Sequence, residues 1–84
     1  MKLLLDIGNS RIKWATLTDN GLVVYEPLAL TPDCQRDLKQ LITPLADRLT
    51  ACVASSVASQ VFNVAVQEAL APLPMRWARS QRQA

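Results

Sequence analysis

The sequence contains no histidine, and its two cysteines, Cys34 and Cys52, stand alone without a Cys-x-x-Cys pair. A zinc site of the usual Cys and His composition is therefore excluded, and the two thiols read as structural groups that stay reduced in a cytoplasmic protein. There is no apolar run near the 18 or so residues that a membrane span requires. The opening Met1-Lys2-Leu3-Leu4-Leu5 has the charged start of a signal peptide, but Asp6 ends the apolar run after three leucines, too short for a secretory core. No internal repeat, low-complexity segment or linker interrupts the chain. Acidic residues are also missing after Glu68, while Arg76, Arg79 and Arg82 follow at a spacing of three. That pattern suits a solvated tail or a strand with one polar face better than it suits a phosphate- or nucleic-acid-binding patch.

Half of the residues are hydrophobic and 19% are charged, the balance of a globular chain. At 84 residues the chain holds at most one compact unit, with no room for two domains. A unit of this size buries only about 60 to 65% of the surface its unfolded form exposes, so its own stability is marginal. The net charge of +2 is too small to call for a nucleic-acid or membrane partner.

Leu3 to Ile7 is a short apolar run closed by Gly8-Asn9, which predicts a central strand covered on both faces. From Arg11 to Leu17, Ile12, Trp14 and Thr16 alternate with Arg11, Lys13 and Ala15, the period of a strand with one buried face. Asp19-Asn20-Gly21 tolerates positive φ and leads into Leu22-Val23-Val24-Tyr25, so the second and third strands should form a hairpin. Thr31-Pro32-Asp33 reads as a helix start with Thr31 as N-cap, and Leu38, Leu41, Ile42 and Leu45 repeat as a core-facing stripe. Pro44 should end or kink that helix. Leu49 to Ala54 predicts a buried strand. A second helix follows from Ser56 or Ser59, with Val61, Phe62, Val64, Ala65, Ala69 and Leu70 on its apolar side, ended by Pro72 and Pro74. Met75 to Ala78 makes a fifth strand. The order strand, strand, strand, helix, strand, helix, strand implies an antiparallel meander followed by parallel strands on right-handed crossovers. The fold class is thus α/β, a mixed five-stranded sheet with helices on its faces. It has the order of a ribonuclease H-like half-domain with the final helix absent.

Asp6 sits at the carboxyl edge of its strand, where α/β sheets bind ligands. A carboxylate there must meet a cation, a hydrogen-bond cluster or water: it can hold Mg²⁺ beside ATP phosphates, or cap a turn through backbone N–H groups. Gly8 allows close backbone approach or positive φ, and Asn9 and Ser10 carry uncharged donors suited to phosphate oxygens. The same residues also suit a tight hairpin turn. Arg11 and Lys13 can reach phosphates from the next strand or form a solvated face.

The stretch Lys2 to Ala15, with Asp6-Ile7-Gly8-Asn9-Ser10 after an apolar strand and a basic, apolar strand behind it, resembles the opening of type III pantothenate kinases. Val53-Ala54-Ser55-Ser56-Val57 is similar to that family's valine and serine strand end. The resemblance covers the chain in element order and about 20 residues in motif. It implies residues 1–84 as one partial N-terminal domain of a kinase from the acetate and sugar kinase, heat-shock chaperone and actin superfamily, with the second domain absent. It further implies phosphorylation of pantothenate at its hydroxyl, with ATP, Mg²⁺ and a monovalent cation, K⁺ or NH₄⁺, by a cytoplasmic homodimer. Asp6, Ile7, Gly8, Asn9, Ser10, Arg11, Ile12 and Lys13 become the ATP-binding loop, with Asp6 assisting the metal directly or through water. Ser55 and Ser56 line the substrate pocket, or serve as helix N-caps. The family's catalytic aspartate, in a Gly-x-Asp-Arg segment, is expected beyond Ala84 and has no counterpart here. The resemblance therefore implies that the 84 residues contain no catalytic residue and alone do not turn over.

Two other readings compete. A ribonuclease H-like module without catalysis would regulate or dimerise through its exposed last strand. A nuclease needs several carboxylates converging on two metals, and only Asp6 is placed for that.

Overall fold

The computed structural model describes residues 1–78, so Arg79 and Arg82 of the spaced arginines lie outside the described residues. So does Ala84, the position beyond which the resemblance sets the catalytic aspartate. β1 (Lys2–Ile7), β2 (Arg11–Thr18) and β3 (Gly21–Val24) form the antiparallel meander, and a two-residue strand, β4 (Leu28–Ala29), follows. α1 (Cys34–Ile42) runs into one turn of 3₁₀ helix at Thr43–Leu45, then β5 (Ala51–Ser56), α2 (Gln60–Leu70) and β6 (Met75–Trp77) complete the order. The sheet runs β3-β2-β1-β5-β6, with β4 paired to the start of β2. β5 lies parallel to β1 and β6 parallel to β5, as the crossovers require. The sheet therefore has six strands where five are expected from the sequence. The extra one pairs Leu28 with Ile12 and Ala29 with Arg11, a contact too short to leave a periodic signal.

Both helices pack on one face of the sheet. Leu3, Leu5, Ile7, Ile12, Trp14, Cys52 and Ala54 share a single core with Leu38 and Ile42 of α1 and with Val66, Ala69 and Leu70 of α2. Two expectations are corrected by this: the helices do not flank the sheet, and β1 is not covered on both sides. Along β1 burial alternates, with Leu3, Leu5 and Ile7 buried while Lys2 and Asp6 are exposed and Leu4 is half-buried. The period was masked because Leu4 is as apolar as its neighbours. Registers of the neighbouring strands put Ala15, Leu17, Leu22, Val24 and Val53 on the same uncovered face as Leu4. Of these, Leu17, Leu22 and Val24 are 40%, 55% and 71% exposed.

α1 starts later than its sequence suggests. Thr31 carbonyl accepts from Cys34 N at 2.9 Å and the Thr31 hydroxyl accepts from Asp33 N at 3.2 Å, so Thr31 to Cys34 form a turn and Asp33 becomes the N-cap. The helix ends at Ile42, two residues before Pro44, whose ring fits the first positions of the 3₁₀ turn. Its buried stripe is Cys34, Leu38 and Ile42, and Leu41 faces outward at 39% exposure. On α2, Ser59 is the N-cap and the buried residues are Val66, Ala69 and Leu70. Val61 and Val64 of the expected apolar side are exposed, because the helix rests on the sheet along one narrow line. Trp14 stacks on Tyr25 with ring centroids 4.2 Å apart, and its indole N–H donates to the Glu26 carbonyl at 2.8 Å. This pair closes the core beside β3.

Candidate functional site

β1 is the hinge of the topology. From β1 the chain passes to β2 on one side, and from the adjacent β5 it passes through α2 to β6 on the other. The carboxyl ends of β1 and β5 therefore lie at the point where the connections diverge, the place in open α/β sheets where a crevice is left for a ligand. Gly8, Asn9 and Ser10 connect β1 to β2 at this edge, and Ser55 and Ser56 end β5 beside them.

Gly8 N donates to the Arg11 carbonyl at 2.9 Å, which closes the turn. A Cβ at Gly8 would stand 3.3 Å from that same carbonyl, so glycine is favoured by the close approach of β2. The alternative of positive φ is not used: among the described residues only Gly21, in the β2–β3 hairpin, has it, at 123°. Asn9 and Ser10 are exposed, and their side chains make no hydrogen bond to another described residue. The Ser10 carbonyl accepts from Leu30 N at 3.0 Å, so the segment after β4 braces the turn from outside. Sequence patterning gives no sign of this support.

Asp6 is exposed on the uncovered face. Register places Lys13 opposite it on β2 and Ser55 opposite it on β5. The Ser55 hydroxyl donates to Asp6 Oδ1 at 3.4 Å, whereas Lys13 closes no ion pair; the ion pairs of the described residues join Arg36 to Asp33 and Asp37. Arg11 is exposed on the same face as Lys13. Three candidates thus come together in one row, Lys13, Asp6 and Ser55, with the Gly8–Ser10 turn at its end. Ile7 and Ile12 are fully buried, so within the Asp6–Lys13 loop they can offer a ligand only backbone groups.

Ser56 points to the other side. Its hydroxyl donates to Asn63 Oδ1 of α2 at 2.6 Å and accepts from Ala58 N at 3.0 Å. Neither Ser55 nor Ser56 is the N-cap of α2; that position belongs to Ser59, which makes no side-chain cap bond. Asn63 escaped the sequence reading, although it is the one polar residue in the run from Val61 to Val66. No group of three or more His, Cys, Asp or Glu comes together among the described residues. A groove of about 370 Å³ lies at the opposite edge of the sheet, between the C-terminal ends of both helices, and is lined by Lys39, Ile42, Leu49 and Leu73 among others. It is away from the turn and holds none of its residues.

Among solved structures, the Aquifex aeolicus PPX-GPPA enzyme is similar with a TM-score of 0.45 at 12% identity, over 92% of this chain and 35% of that one. The chain thus spans about a third of that protein's length. No curated protein matches. Residues 2–84 match the model of the family described as type III pantothenate kinase, and the chain belongs to that family.

Proposed function

We propose that these residues are the amino-terminal part of a kinase that transfers a phosphoryl group from ATP to the hydroxyl of pantothenate. The product, 4'-phosphopantothenate, enters coenzyme A synthesis. Asp6 to Lys13 form its first phosphate-binding loop. The observation that carries this reading is the exposure of Asp6, Asn9 and Ser10 at the diverging carboxyl ends of β1 and β5, in a chain of this family. Asn9 and Ser10 offer free donors, and Lys13 and Arg11 add positive charge on the same side, which suits a polyphosphate.

A single exposed carboxylate with one oxygen only weakly engaged fits Mg²⁺, an ion that usually keeps several waters and takes its other ligands from substrate phosphates. Asp6 is the residue that would hold it, directly or through water. Bound there, the ion supplies neutralisation of the charge that develops on the phosphates. Asp6 would hold the ion, Ser55 steadies Asp6 through their 3.4 Å contact, and the turn donors meet phosphate oxygens. The base for the pantothenate hydroxyl and the second wall of the site come from outside residues 1–84, so the 84 residues alone bind ATP weakly and do not turn over. K⁺ or NH₄⁺ dependence, homodimer formation and a cytoplasmic location are carried by family membership alone.

The reading is tested by assaying pantothenate phosphorylation in the intact kinase carrying these residues, with Asp6→Asn beside wild type. The variant is expected to lose at least about a hundredfold in kcat/KM, since misplacing the metal misplaces the reacting phosphate. Undiminished activity in the variant would refute the metal role. The uncovered face, with Leu17, Leu22 and Val24 exposed, favours one second reading, a non-catalytic regulatory or dimerisation module. A wild-type protein without kinase activity that sediments as a stable dimer would support that instead.

A further inference from the structure

We propose that Asn63 is a positioning residue for the phosphate turn, acting through Ser56; this rests on the nucleotide-site reading above. The two side chains meet at 2.6 Å in a half-buried setting, where a hydrogen bond is stronger than at an exposed surface. A serine hydroxyl has one proton. Ser56 accepts from Ala58 N at 3.0 Å, and its proton goes to Asn63 Oδ1. The hydroxyl is therefore occupied in both directions and is not a free donor to a ligand.

What this pair fixes is the backbone from Ser56 to Ala58. Ser56 is the β5 residue in register with Ile7, the last residue of β1 before Gly8. One step further on, Val57 N donates to the Ile7 carbonyl at 3.0 Å, extending the β1–β5 pairing past the end of β5. The position of Ile7, and with it the start of the turn, is thus held by a tight bend that Ser56 shapes. Asn63 pins that bend to the first turn of α2, where Asn63 N donates to the Ser59 carbonyl at 3.1 Å. The line of support runs from α2 through Asn63, Ser56 and Val57 to Ile7 and Gly8. Without the Asn63 acceptor the bend can rotate, the Val57-to-Ile7 bond loosens, and Asn9 and Ser10 lose their fixed placement for phosphate.

The test uses the intact kinase with Asn63→Ala, Ser56→Ala and the double variant, measuring KM for ATP, KM for pantothenate, kcat and Tm. Each single variant is expected to raise KM for ATP about three- to tenfold, the scale of one lost hydrogen bond. KM for pantothenate should stay within about twofold and kcat should change less than KM for ATP. Because both residues serve one linkage, the double variant should cost no more than the worse single one. Lowered Tm with KM for ATP unchanged in both single variants, or fully additive effects, overturns the positioning role while leaving the kinase reading standing. Ser56→Ala alters no helix residue and decides the matter if Asn63→Ala fails to fold. A wild-type enzyme that does not phosphorylate pantothenate overturns the site reading and this inference together.

Discussion

Cys52 has no exposed surface, and burial pushes its thiol up to about 12 from the ordinary 9.0. Deprotonation would place a thiolate among Leu and Ala side chains, so the folded state keeps the proton where the unfolded chain has lost it. The folded pKa is raised, hence the contribution to stability is complete below about pH 9 and is lost as pH rises toward about 12. Cys34 shifts in the same direction, first through burial and then through the charge of Asp37. Wild-type Tm should therefore fall as pH is raised above about 9, and Cys52→Ala should show a shallower slope over the same interval. Parallel slopes for the two proteins would contradict the assignment. At this scale the turn itself was legible in the sequence, because Gly8, Asn9 and Ser10 follow one another directly after the apolar run that ends at Ile7. The links that hold it were not: Ser55 reaches Asp6 across 49 positions, and Ser56 finds Asn63 only once α2 has docked.

Among the elements, α1 tests whether the helices truly share one face of the sheet. Leu38 is fully buried against that face, whereas Leu41, one turn later and in the same sequence stripe, is 39% exposed. Leu38→Ala should cost about 2 to 5 kcal/mol and Leu41→Ala less than about 1 kcal/mol, as measured by denaturant unfolding. Similar costs for both would mean that a second surface covers the helix. Helix and strand types were readable from periodicity and turn residues, since Pro44, Pro72 and the Asp19-Asn20-Gly21 hairpin punctuate the chain. Ends and faces were less so. A threonine, proline and aspartate in succession make both a helix start and the turn seen at Thr31 to Asp33, and only the backbone bond from Cys34 to Thr31 distinguishes them. On α2, valines surround the helix, and the contact line that buries Val66 and leaves Val61 outside is set by the sheet.

On the scale of the whole molecule, a sheet with helices on one side leaves two kinds of surface on the other. Near the β2–β3 hairpin it is apolar, with Leu17, Leu22 and Val24; at the carboxyl edge of β1 it carries Lys13, Asp6, Ser55 and the turn. The radius of gyration of 12.2 Å is close to the roughly 12 Å expected for a compact chain of this length, so the core is closed despite the open face. The strand order follows from chain chemistry only as far as meander and crossover; the open face could not be read, because a strand such as Leu3-Leu4-Leu5 looks buried on both sides. The central claim is that the Asp6-to-Ser10 turn meets phosphate. Within residues 1–84 glycines stand only at positions 8 and 21, so ¹⁵N-glycine labelling of this stretch by itself gives one amide signal in the turn and one in the hairpin at the far end of β2. Titration of the labelled protein with Mg²⁺ and ATP should move the Gly8 signal progressively and leave Gly21 in place. A Gly8 signal that stays fixed at millimolar ATP, or moves no more than that of Gly21, would contradict it.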